Sequence, residues 1–191
     1  MRSPGRTALA ASFAVVLIAT ATTPILAQAK GGSAGTAAYV PDHTFLVNAA
    51  TAGLEQVRLG RLAVLKAKNA GVKSLGQKLV DDYGKANDQL RQLASSKGAK
   101  DLPSYPDRST QAVFDSLEKL AGDDFDVAYI HRVVAGQVSN VALFDREAQN
   151  GTDADLRQFA ANVLAGLRDD LSTAQDLENK IAGRSSRKVT N

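Results

Sequence analysis

The chain has 191 residues, 23 lysines and arginines against 20 aspartates and glutamates, a single methionine, two histidines and no cysteine or tryptophan. The missing cysteines exclude disulfides, thiolate metal sites, cysteine nucleophiles and a lipidated cysteine. The net charge of +3 is carried by the two ends, since Lys30 to Gly183 holds 18 bases against 20 acids, so no nucleic-acid face is expected.

Arg2 and Arg6 precede an apolar run, Ala8 to Ala21, and small residues ending in Ala27-Gln28-Ala29. This three-part order reads as a secretory signal peptide over residues 1–29, cleaved after Ala29; an uncleaved N-terminal anchor is the other reading. The run is shorter than the roughly 20 residues of a comfortable membrane span, and no later stretch approaches that length, so the mature chain is expected to lack a transmembrane helix. The product is expected to be exported, to the periplasm, the cell envelope or the medium. Residues 30–41, rich in Gly, Ala and Ser, read as a flexible leader, and 184–191, with Arg184, Arg187 and Lys188, as a basic disordered tail.

Between these ends, 42–183 reads as one helical-bundle domain. Pro41-Asp42 marks the first helix start with Asp42 as N-cap, and the helix runs to about Asn69. Its seam of Phe45, Ala49, Ala52, Gln56, Leu59 and Ala63 recurs at alternating steps of four and three. The second helix, about Val72 to Lys97, has the seam Val72, Gly76, Leu79, Tyr83, Ala86, Leu90 and Leu93. Pro103 and Pro106 break the following link, and a short amphipathic helix covers about Ser109 to Ala121.

Asp123, Asp124 and Asp126 open the next long helix, where first-turn acids meet free amides and the positive dipole end; without an oxygen-rich loop behind them, capping is preferred to a calcium loop. Its seam is Ile130, Val134, Gln137, Val141, Phe144 and Ala148, ending at Asn150-Gly151. The last helix, from Thr152 or Asp153 to Gly183, carries Leu156, Ala160, Val163, Leu167, Asp170, Ala174, Leu177 and Ile181.

Short links after the first and third long helices make two antiparallel hairpins. The link Ala99 to Gly122 is long enough to travel back along the bundle, which favours a ferritin-like all-α arrangement with an extra helix in the crossover over a plain up-and-down bundle. Each seam has one polar interruption. Gln56, Tyr83, Gln137 and Asp170 lie 14, 15, 13 and 17 residues from the same end of the bundle, within roughly one turn at about 1.5 Å per residue. A polar core layer is therefore expected, its members hydrogen-bonded to each other or to trapped water.

A ferritin-like bundle places a dinuclear metal site at this height. Hard oxygen ligands and imidazoles hold iron or manganese, and of the four residues only Asp170 is a good ligand. No Glu-x-x-His occurs; His131 is turned about 100° from the seam, His43 lies at the bundle end, and Glu55 is expected to pair with Arg58. No cofactor is expected.

The segments FLVNAATAGLEQVRLGRLA, VKSLGQKLVDDYGKANDQLRQLASSKG, GDDFDVAY, VAGQVSNVALFDREAQNGTDADLRQFA and LAGLRDDLSTAQDL, in this order, resemble the exported bacterial ferritin-like proteins of domain-of-unknown-function family 4142. The resemblance covers about Asp42 to Ile181. It implies a glutamate where this chain has Gln56, and histidines where it has Tyr83, Gln137 and Asp170. The chain thus departs at the four positions its periodicity singles out.

Three functional readings follow. The first is an exported non-enzymatic bundle acting through its surface on an envelope partner, in stress response or interaction. The second is an iron- or manganese-dependent oxidoreductase of ferroxidase or peroxide-handling type, using Asp170 with Asp169 or Asp82. The third is a small-ligand binder with a pocket beside the polar layer. Hydrolase motifs are absent.

Overall fold

The computed structural model describes residues 42–105 and 108–189, with the side chains of 109 and 184–189 excepted. The signal peptide and the leader expected from the sequence lie outside the described residues. The protein is all-α: α1 (His43–Lys66), α2 (Ala70–Ser96), α3 (Arg108–Glu118), α4 (Gly122–Asn150) and α5 (Ala154–Val189). The last helix does not stop at Gly183. It runs on through Val189, since one glycine costs only about 1 kcal/mol in a helix. None of the helices is long and apolar enough to cross a membrane, among the described residues.

Polar contacts at the helix ends fix the direction of every helix. At one end, Asp42 Oδ2 accepts from Thr152 N at 2.8 Å, Thr152 Oγ1 at 3.1 Å and Asp153 N at 2.8 Å. Lys97 Nζ donates there to Asp153 at 2.6 Å and Asp155 at 2.8 Å. The start of α1, the end of α2, the end of α4 and the start of α5 therefore lie together. At the opposite end Asp126, on α4, accepts from Lys68 N at 3.2 Å and Asn69 N at 2.7 Å, and Lys68 pairs with Asp123 at 3.0 Å. The order is up, down, down, up. α1 packs against α2 and α4, and α5 against the same two, so the parallel α2 and α4 are diagonal partners.

The link between α2 and α4 climbs along α1. Asp101 accepts from His43 Nε2 at 3.1 Å, Gln111 accepts from Arg58 Nη1 at 2.5 Å, and the Glu118 carbonyl accepts from Lys66. Arg91 Nη2 donates to the Pro103 carbonyl at 2.5 Å and holds the extended part on α2. The Arg58 guanidinium also lies 4.1 Å from the centre of the Phe114 ring, which α3 buries with Leu117. Arg58 is thus committed to α3, and Glu55, expected to pair with it, receives Arg132 of α4.

Two further end contacts differ from their local expectation. Asp42 makes no side-chain cap on its own helix; at φ 57° it turns away and serves the α4–α5 turn. Asp126 likewise serves the α1–α2 turn and not its own first turn. Asn69 Oδ1 caps α2 at Gly71 N, 2.9 Å, and Asp153 Oδ1 caps α5 at Asp155 N and Leu156 N, 2.9 and 3.0 Å.

Aromatic rings fill both ends of the core. Phe45, Phe144 and Phe159 meet at one end, with centroids 5.2 to 6.5 Å apart, and Phe125 stacks on Tyr129 at the other. Between them α1 and α2 approach closely through glycines. A Cβ on Gly60 would collide with the Gly76 carbonyl, and one on Gly76 would lie 2.7 Å from Ala63 Cβ. Neither backbone can yield without separating the helices. Gly60→Ala is expected to lower stability in urea by about 2 kcal/mol, whereas Gly84→Ala, with nothing within 4 Å of the added carbon, is expected to raise it by up to about 1 kcal/mol.

Candidate functional site: a polar layer in the core

The steps of four and three that bury one line on each helix carry four polar side chains inward. Gln56, Tyr83, Gln137 and Asp170 are all 3 % exposed or less. Tyr83 Oη donates to Gln137 Oε1 at 2.6 Å and accepts from Asn140 Nδ2 at 2.8 Å, so α2 and α4 are joined diagonally across the core. Burial pushes the Tyr83 phenol well above its usual range; the charges of Asp170 and Glu55 push the same way, against the Asn140 and Gln137 hydrogen bonds. The hydroxyl is a fixed neutral donor.

Gln56 belongs to the same level by a different contact. A Cβ on Gly136 would sit 2.7 Å from Gln56 Nε2, so that amide occupies space which any larger residue beside Gln137 would take. Its Oε1 and the Nε2 of Gln137 are buried with no partner among the described residues. The layer is unevenly satisfied, with its hydrogen bonds concentrated on Tyr83.

Asp170 is engaged from the side. Lys78 Nζ lies 2.5 Å from Asp170 Oδ1, 2.8 Å from Asp82 and 3.3 Å from Asp169. The Asp170 side chain is 1 % exposed and that of Lys78 38 %, so the lysine stem runs from the surface along α2 and brings its ammonium to the edge of the core. Burial works against the lysine charge, but the hydrogen bonds to Asp170 and Asp82 outweigh it and hold the ammonium above the ordinary lysine range. On Asp170 burial dominates and raises the carboxyl, with Lys78 pulling it back.

The sequence pattern singles out the four seam residues but neither Lys78 nor Asn140. Asn140 follows Gln137 by three, which places it on the same face, and the i,i+4 pair Lys78–Asp82 is visible on α2. Neither signal says that the lysine reaches inward. The histidines are elsewhere: His43 is held at Asp101, and His131 Nδ1 lies 2.6 Å from Glu178.

The donors present do not fit a dinuclear iron or manganese centre. A phenol and carboxamides supply no charge to balance a divalent ion, and the one carboxylate of the layer is occupied by an ammonium. No cluster of three or more His, Asp or Glu side chains able to hold a metal ion occurs among the described residues.

Two sets of substitutions read out this layer. Tyr83→Phe leaves Gln137 Oε1 and Asn140 Nδ2 buried without their partner and is expected to cost about 1–3 kcal/mol in chemical denaturation. Lys78→Met strands the buried Asp170 carboxylate and is expected to cost about 3 kcal/mol at neutral pH, with the loss shrinking as acid protonates Asp170. Asp170→Leu is expected to cost less than Lys78→Met, because the lysine it leaves behind still has Asp82, Asp169 and solvent.

Comparison with known proteins agrees with this architecture. Three solved structures of CopM share the fold: the Cu(II)-bound form at TM-score 0.63 and 11% identity, the Cu(I)-bound form at 0.62 and 12%, and the Ag-bound form at 0.61 and 12%. Each match covers 73% of this chain and 96% of CopM, and at such identity it speaks for the fold alone. No curated protein matches the chain. The family model described as "Domain of unknown function (DUF4142)" matches residues 27–177. With most of its length inside that match, the chain belongs to the DUF4142 family.

Proposed function

We propose that the protein is an exported, non-enzymatic, ferritin-like bundle of the cell envelope, acting through its surface in stress response or interaction, with a central layer that has exchanged metal ligation for internal bonding. The observation that carries this reading is the Lys78 ammonium, which contacts Asp170, Asp82 and Asp169 where a bound cation would otherwise balance their charge. The up-down-down-up order with a crossover between α2 and α4 supports the ferritin-like topology. Export is supported by the N-terminal Arg2/Arg6, apolar run and Ala27-Gln28-Ala29 series.

The oxidoreductase reading draws on the same three aspartates. Iron or manganese would have to displace the lysine that bridges them and would find no histidine beside them. Copper and silver, the metals named for CopM, call for other ligands in their monovalent states. Soft thiolates and thioethers select Cu(I), and this chain has no cysteine and a single methionine, Met1.

Protein purified without chelators is expected to hold far less than one transition-metal ion per chain by elemental analysis, and to show no saturable thermal shift with iron, manganese, copper or zinc. A stoichiometric ion in the unaltered protein would overturn the proposal. Conversely, Gln56→Glu, Tyr83→His, Gln137→His and Asp170→His, combined with Lys78→Met to remove the tethered charge, are expected to create transition-metal affinity. A folded variant that binds none would show that the four positions do not converge.

A further inference from the structure

Away from the polar layer, at the end of the bundle where α1 begins and α4 ends, lies a cleft of about 420 Å³. Asp42, Asn48, Arg146, Glu147 and Asn150 line it together with Phe45. Its volume falls in the range of small-ligand sites, and its lining combines apolar Phe45 and Leu143 with polar groups.

Glu147 is the unexplained residue here. It is 7 % exposed, and no donor among the described residues reaches its carboxyl; Oε1 is sealed beneath Gly151 without a partner. Gly151 permits this, since a Cβ there would overlap Oε1 and lie 2.8 Å from the Glu147 carboxyl carbon. A buried carboxyl without a donor is costly, so its retention in a cleft wall calls for a ligand that supplies one.

Arg146 precedes Glu147 on α4. It lines the same cleft, is exposed, and makes no hydrogen bond or ion pair among the described residues. Other charges at this end have partners: Asp42 Oδ2 is taken by the α4–α5 turn, His43 by Asp101, Asp153 by Lys97 and its own helix start, and Arg157 by the carbonyls of Gly151 and Thr152. Glu147 and Arg146, adjacent in sequence and opposite in charge, line one space without bonding to each other. A simple cation would meet the guanidinium, and a simple anion would meet Glu147 and Asp42.

We propose that this cleft binds a small zwitterion of amino-acid or dipeptide size, its ammonium received by Glu147 and its carboxylate by Arg146. The asparagine amides of Asn48 and Asn150 supply further donors and acceptors at the rim, and Phe45 takes the apolar part of the ligand. Burial and the nearby charges of Asp42 and Asp153, opposed by Arg157, push the Glu147 carboxyl up to about 7. An ammonium ligand favours the ionised form, so binding strengthens as pH rises through that value.

Calorimetric titration of the mature protein with L-alanine and alanyl-alanine tests the assignment, with ethylamine and acetate as singly charged controls. At least one zwitterion is expected to bind saturably, and neither control to match it; affinity is expected to be about tenfold higher at pH 8 than at pH 6. Arg146→Gln, at an exposed position, is expected to weaken binding about tenfold or more, and Glu147→Gln to remove the pH dependence. Circular dichroism establishes that each variant is folded; if Glu147→Gln is not, Arg146→Gln alone decides. Absence of saturable binding by both zwitterions, ethylamine binding as tightly as alanine, or unchanged affinity in Arg146→Gln would each overturn the proposal.

Discussion

Two aspartates set the relation between the halves of this bundle. Asp42, at the start of the first hairpin, binds the turn of the second, and Asp126, at the start of the second, binds the turn of the first. Each turn exposes backbone amides that have no helical partner, and each finds its acceptor on the other hairpin. Apolar seams alone would tolerate sliding of one hairpin against the other by a turn. The reciprocal carboxylates do not, because a shift of about 5.4 Å would leave both sets of amides unbonded. Asp42 accepts a left-handed backbone conformation to do this, at a cost of order 1 kcal/mol against three hydrogen bonds.

With the register fixed at both ends, the middle of the core can be polar. Tyr83 spans the diagonal between α2 and α4 and bonds two side chains of α4 at once, which would fail if the helices moved by even half a turn. Next to it the glycine contact of α1 with α2 and the seat of Gln56 against Gly136 leave little free space. Aromatic clusters lie above and below this layer. The arrangement is a hydrogen-bonded seal whose strongest electrostatic element, Lys78 with Asp170, enters from the rim.

How much of this can be read from the chain depends on whether a signal is local. Helix seams are local, and the period that runs through Ile130, Val134, Gln137, Val141 and Phe144 already marks Gln137 as an inward polar residue; the same holds for Gln56, Tyr83 and Asp170, all buried in the structure. Lys78 is invisible to that method because its long stem belongs to the surface while its charge does not. Asn140 escapes because a seam counted at one residue per turn passes over the neighbouring position on the same face. Asp42 and Asp126 look like ordinary caps, since sequence shows that a carboxylate sits near a helix start but not which helix start its oxygens meet. Arg58 is diverted from Glu55 by a partner more than 50 residues away, on α3. Glu147 has no local signature at all, for its environment is assembled from the beginning of α1, the end of α4 and the turn beyond.

The Lys78 ammonium has a consequence for how the domain comes into being. A carboxylate buried in a bundle core needs a positive charge, and a core that takes it from a dissolved ion is complete only after that ion has been delivered. Here the counter-charge is covalently attached to α2 and arrives whenever α2 meets α5. Electrostatic closure of the core is then a unimolecular event, set by chain geometry and independent of which ions the surroundings contain.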